Sequence, residues 1–184
     1  MKLRRLALAP LVAALAVLAA GCGGKSSKPE TANDWANSFC ASATTWKDSV
    51  ASAVSPLKNG NITKDSVNTA FDDFKSATNT FTGDVKGLGK PPTKAGDQAK
   101  SDIDQLTTQI DNSVNTIQSA VKNISDVSSA LAAVPAVTGA LASMRTDVST
   151  TFHNLQKIDA NGELTSAFAN SQACKSLANS VNAG

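Results

Sequence analysis

Residues 35–46 read WANSFCASATTW. Trp35, Phe39, Ala43 and Trp46 recur at steps of three and four, and Val50, Val54 and Leu57 continue the series. That step is the period of one helix face, whereas a half-buried strand would alternate every second residue. Asn33 and Asp34 are both residue types that cap the free amides of a first turn. Pro56 and the following KNGN, residues 58–61, supply the stop. The plain meaning of the two tryptophans is a core stripe, with Cys40 at its edge. A two-tryptophan ligand cage is the alternative.

The same rhythm runs outward from this stretch. A second helix follows Thr63, carries Val67, Phe71, Phe74, Thr78, Phe81, Val85 and Leu88, and stops at Gly87, Gly89, Pro91 and Pro92. The third stripe is the longest: Ala99, Ile103, Leu106, Ile110, Val114, Ile117, Val121, Ile124, Val127, Leu131 and Val134. Its spacing near 3.5 resembles a coiled-coil seam. Continuous, it would span about 50 Å, well beyond its neighbours, with Pro135 as its end or kink. A fourth stripe holds Val137, Leu141, Met144, Val148, Phe152, Leu155 and Ile158, and DANG, residues 159–162, breaks it. A short final helix carries Leu164, Phe168, Cys174, Leu177 and Val181. Nowhere does strand-like alternation compete. Short connections favour antiparallel neighbours. The expected fold is all-α, an antiparallel up-down bundle of four main helices plus a short C-terminal helix.

Composition agrees with a folded domain. Of 184 residues 41% are hydrophobic and 17% charged, which separates the chain from disordered sequences. There is no tyrosine and there are two tryptophans, so the core must be mostly aliphatic. Serine, threonine and asparagine are mediocre helix formers. The helices therefore depend on mutual packing more than on local propensity.

The N-terminus has a different plan. Lys2, Arg4 and Arg5 precede an apolar run from Leu6 to Leu18, broken by Pro10, and Ala19-Ala20-Gly21 lead into Cys22. This is the layout of a signal peptide, too short and too soon polar for a stable span. LAAGC, residues 18–22, resembles the lipobox of bacterial lipoproteins, with leucine one residue earlier than that motif prefers. The resemblance implies cleavage between Gly21 and Cys22, a diacylglycerol thioether on Cys22 with acylation such as palmitate, and residence on the outer face of the cell membrane. An ordinary signal peptide cleaved nearby is the plainer alternative. Buried acyl chains contribute about 0.8 kcal/mol per methylene, so two or three long chains amount to a lasting anchor. Three segments are thus expected: a signal peptide over 1–21, a lipidated cysteine with a flexible tether over 22–31, and one helical domain over 32–184. Losing Lys2, Arg4 and Arg5 takes the basic residues from 17 to 14 against 15 acidic ones. A net +2 becomes −1, which removes the electrostatic case for nucleic-acid binding.

With Cys22 assigned to lipid, Cys40 and Cys174 remain, at opposite ends of the folded part and in an oxidising compartment. A disulfide between them is expected, worth about 4 to 5 kcal/mol by loop entropy. Two free buried thiols are the alternative. Two cysteines and one distant His153 lack metal-ligand spacing, and no cofactor is indicated.

Few other residues carry chemistry. The uncharged segment 127–144 reaches the minimum length of a membrane-span candidate, but its serines, Thr138, Pro135 and Gly139 lower its apolarity and the helical stripe passes through it. Its small residues Ala130, Ala133, Ala136, Gly139 and Ala140 suit close helix approach. An apolar ligand pocket, if present, is expected around Ala133, Ala136, Gly139 and Ala140. Asp97, Asp104 and Asp111 repeat every seven residues, as a solvated face or an acidic strip. SPLK at 55–58 and SAVK at 119–122 match the Ser-x-x-Lys nucleophile motif without its companion elements. NIT at 61 and NIS at 123 match a glycosylation sequon, and the hydroxyl-rich surface could accept O-linked sugar.

Beyond the lipobox, the chain looks like small helical lipoproteins of high-GC Gram-positive bacteria, a compositional likeness that implies no activity. The leading expectation is a non-catalytic, lipid-anchored bundle that binds an envelope protein or ligand. The second is a carrier of a hydrophobic small molecule, with its cavity near residues 130–144. The third is a cell-wall enzyme, which would need a cleft joining His153 to one of the aspartates.

Overall fold

A computed structural model describes residues 28–182 apart from 59, 61, 160 and 161. The signal-peptide, lipidation and most of the tether expectations lie outside these residues, as does the side chain of Val181. Among the described residues there are six helices and no strand: α1 (Ala32–Lys58), α2 (Lys64–Gly87), α3 (Gly96–Val121), α4 (Val127–Lys157), α5 (Glu163–Asn170) and α6 (Gln172–Asn182). The fold is an all-α, up-down bundle. α1 packs on α2 and α3 on α4, and the α2–α3 contact joins the two hairpins.

The helix starts follow from hydroxyl and carboxylate chemistry. Thr31, not Asn33 or Asp34, begins α1: its Oγ1 accepts the Asp34 amide at 3.1 Å and donates to the Asp34 carboxylate at 2.7 Å. Thr63 caps α2 as expected, in a reciprocal box with Ser66. Pro56 lies inside the last turn of α1 rather than ending it.

The third and fourth stripes divide elsewhere than Pro135. α3 stops at Val121, Ile124 is buried in the linker, and α4 starts at Val127. Asp126 accepts the Ser129 amide at 2.8 Å while the Asp126 amide donates back to Ser129 Oγ at 3.1 Å. That box sets the boundary. Pro135 sits inside α4, on an exposed position. The long projecting helix is therefore absent, and α3, at about 39 Å, matches α1 in length.

The final helix is two. Ser171 has extended backbone (ψ 126°) and its Oγ accepts the Cys174 amide at 3.2 Å, which starts α6 afresh. The same hydroxyl donates to Asn37 Oδ1 of α1 at 3.1 Å. At the start of α5, the Asp159 carboxylate accepts the amides of Leu164 and Thr165 and the Thr165 hydroxyl. Gly162 is required there, because a Cβ at that position would collide with the Asp159 carboxylate.

Both tryptophans are core. Trp35 is fully buried, stacks on Phe39 at 5.9 Å, and donates its indole N–H to the Gly89 carbonyl at 3.0 Å. Phe168 of α5 packs edge-on against Trp35, Phe39 and Phe152, so α5 plugs the space between α1 and α4. Trp46 stacks on Phe81 and donates to Thr78 Oγ1 at 3.1 Å. With its indole nitrogens satisfied inside the protein, this pair forms no ligand cage. Cys40 and Cys174 are joined by a disulfide, with Cα atoms 4.9 Å apart, and tie α6 to α1 across 134 residues.

Candidate functional site

The two ends of the bundle differ. At the end where α1 begins and α4 finishes, α5 and α6 fill the gap between the hairpins and the disulfide fixes them. At the opposite end no fifth helix intervenes, and α4 only brushes α2 there. The gap is a cleft of about 430 Å³. It is bounded by the last turn of α1, the first turns of α2, the end of α3 with Ile124, and the first half of α4.

Chemically the lining is one-sided. Of its 18 residues, 16 are apolar, and the two others are Lys58 and Thr138. The Thr138 hydroxyl donates to the Val134 carbonyl at 2.8 Å and is spent on its own helix. Phe71, Leu57, Ile62, Ala133, Val137 and Leu141 are only partly buried, although all pack against the core. Val127, Leu131 and Val134 stand 54%, 55% and 44% exposed beside the cleft. They are the large hydrophobic side chains left open among the described residues.

The helix that bounds this cleft is long and apolar enough to cross a membrane by length and composition alone. Its two halves behave differently. Met144, Val148, Phe152 and Leu155 are buried in the bundle core, whereas the first half leaves Val127, Leu131 and Val134 exposed. Pro135 adds to the contrast, since it has no N–H to donate to the Leu131 carbonyl.

Of the four residues around which an apolar pocket was expected, one stands at the cleft and three do not. Ala133 lines the cleft. Ala136 and Gly139 are exposed and Ala140 is buried against the core, and none of the three lines it. The lining comes instead from Leu131, Val134, Val137 and Leu141, the larger members of the stripe. The missed signal is in those same stripes. They carry apolar residues to both ends of the bundle, while the extra helices cover one end.

Other candidates are dispersed. Asp97, Asp104 and Asp111 do not form a free acidic strip: they pair with Lys90 at 2.9 Å, Lys100 at 2.6 Å and Lys86 at 3.8 Å. His153 is half-buried, with Nδ1 3.3 Å from Gln156 Oε1 and its ring against Phe152. Ser119 donates to the Asn115 carbonyl at 2.8 Å. Burial pushes the Asp102 and Asp147 carboxyls up, and no group of three His, Cys, Asp or Glu residues is placed to hold a metal ion among the described residues. Two further depressions, along the α1–α2 groove and beside Glu30 and Glu163, are wide and lined largely by hydroxyls, carboxylates and alanines.

Compared with models of protein families, with curated proteins and with solved structures, the chain has no match.

Proposed function

We propose that this chain is a lipid-anchored binding module of the cell envelope, held on the extracytoplasmic face of the cell membrane through Cys22, whose open-end cleft carries a hydrophobic small molecule. The observation that carries the reading is the cleft itself. Its volume falls in the range of about 300–1,000 Å³ typical of small-ligand sites, and such sites are mostly apolar with a few placed polar groups. An apolar tail entering it would gain about 0.8 kcal/mol for each methylene removed from water.

The reading is non-catalytic. What supports it is that His153 faces Gln156 and Phe152, while Asp97 and Asp104 pair with lysines and Asp126 caps α4. A second reading, a protein partner seated on the rim, draws on the exposure of Val127, Leu131 and Val134.

Native mass spectrometry of the protein purified from its host separates the two. A reproducible small-molecule adduct, lost in an Ala133→Trp variant that fills the cleft, is the expected result. A ligand-free mass with a stoichiometric co-purifying protein, itself lost on Leu131→Asp, would replace the carrier with an adaptor.

A further inference from the structure

Resting on the reading of the cleft as a small-ligand site, we propose that its occupant is a single-chain anionic amphiphile, a fatty acid, with the tail in the cleft and the carboxylate on the Lys58 ammonium. Three observations converge. The lining is apolar except at Lys58 and Thr138, and Thr138 has no free hydrogen to offer, so polar recognition falls to one cation. Lys58 is exposed, is the one basic residue in the lining and, like several other lysines, forms no ion pair among the described residues. A single lysine among the residues that line an apolar cavity matches a ligand with one anionic head and one apolar tail. The size points the same way: about 430 Å³ lies near the small end of ligand sites, suited to one chain rather than two.

The occupant is taken as a separate molecule, because the acyl chains on Cys22 are assigned to the bilayer in the anchored reading on which this proposal rests. It enters past Val127, Leu131 and Val134, which give its tail an apolar path from the surface.

The test uses the mature chain, residues 22–184, carrying Cys22→Ser so that neither acyl group nor detergent competes. Hexadecanoate and hexadecanol are titrated below their self-association concentrations. Hexadecanoate is expected to bind one to one. Lys58→Met should weaken it about tenfold, the size of one charge-assisted contact at a partly solvated site. Lys58→Arg should restore it, and hexadecanol should not distinguish Lys58→Met from the parent. If hexadecanoate and hexadecanol bind with equal affinity to both proteins, the Lys58 assignment is wrong while the cleft reading stands. If neither binds, or if Ala133→Trp leaves binding unchanged, the cleft reading itself fails. Binding to phosphatidylglycerol vesicles that depends on Leu131, without uptake of hexadecanoate, would make this face a membrane contact and overturn the proposal.

Discussion

Phe168 is the residue on which the closed end turns. It touches Trp35, Phe39 and Phe152, which belong to α1 and α4, and is 1% exposed. Truncation to alanine removes the plug between the hairpins, and a destabilisation of about 3–5 kcal/mol by urea denaturation is expected. A loss below about 1 kcal/mol would mean that α5 is not what holds α1 to α4. The disulfide acts beside it. Replacing both Cys40 and Cys174 by serine should lower stability by up to about 5 kcal/mol, the loop-entropy value for a closure of this length, less any residual order in the unfolded chain. Its pairing was legible because two cysteines remained in periodic apolar segments once Cys22 was set aside. The role of Phe168 was not, since the sequence shows its stripe but not which two helices it separates.

Among the elements, α4 departs furthest from its sequence expectation. A proline in an apolar run predicts a break, and the helix runs through it because Pro135 is exposed and the Asp126–Ser129 box starts the helix eight residues earlier. Pro135→Ala should therefore stabilise the protein, by about 1–3 kcal/mol, by restoring the amide that Leu131 lacks. A destabilising outcome would show that the proline sets the helix direction at the cleft. Aspartate at 126 is a residue type that caps helices, a signal the stripe reading did not use. In the same way a serine at 171 gave no visible warning that the last stripe is two helices. Acid should act at the starts of α4 and α5. Hydrogen bonds from the Ser129 amide and hydroxyl hold Asp126 below the usual carboxylate range. Desolvation pushes Asp159 up, but bonds from Thr165 and Leu164 outweigh it and hold that group low as well. A depressed folded-state value means stabilisation that is present above the ordinary carboxylate pKa, near 4, and lost as pH falls through the lowered one. The thermal midpoint should fall from about pH 4 downward, and Asp159→Asn should flatten that fall. An unchanged slope in the variant would remove Asp159 from the explanation.

At the scale of the molecule, asymmetry between the ends is the organising fact. The stripes gave four long helices and their antiparallel order, but covering is non-local. Nothing in residues 163–182 states that they pack at one end, leaving Phe71, Leu131 and Val137 without a lid at the other. The tether enters at the covered end, so an anchor on Cys22 would hold the protein with its cleft displaced along the bundle from the attachment point. Intact-mass analysis of the native protein should show a diacylglyceryl-modified Cys22 as the first residue, whereas an unmodified chain processed elsewhere would leave the bundle without its proposed membrane. The cleft is tested most directly by methyl NMR of the mature chain carrying Cys22→Ser during titration with hexadecanoate. Saturable shifts confined to Ile117, Val121, Ile124, Val137 and Leu141, with Ile103, Leu106 and Leu155 unmoved, are expected. Shifts centred on the disulfide end, or no saturable shift, would contradict a ligand site between the open hairpins.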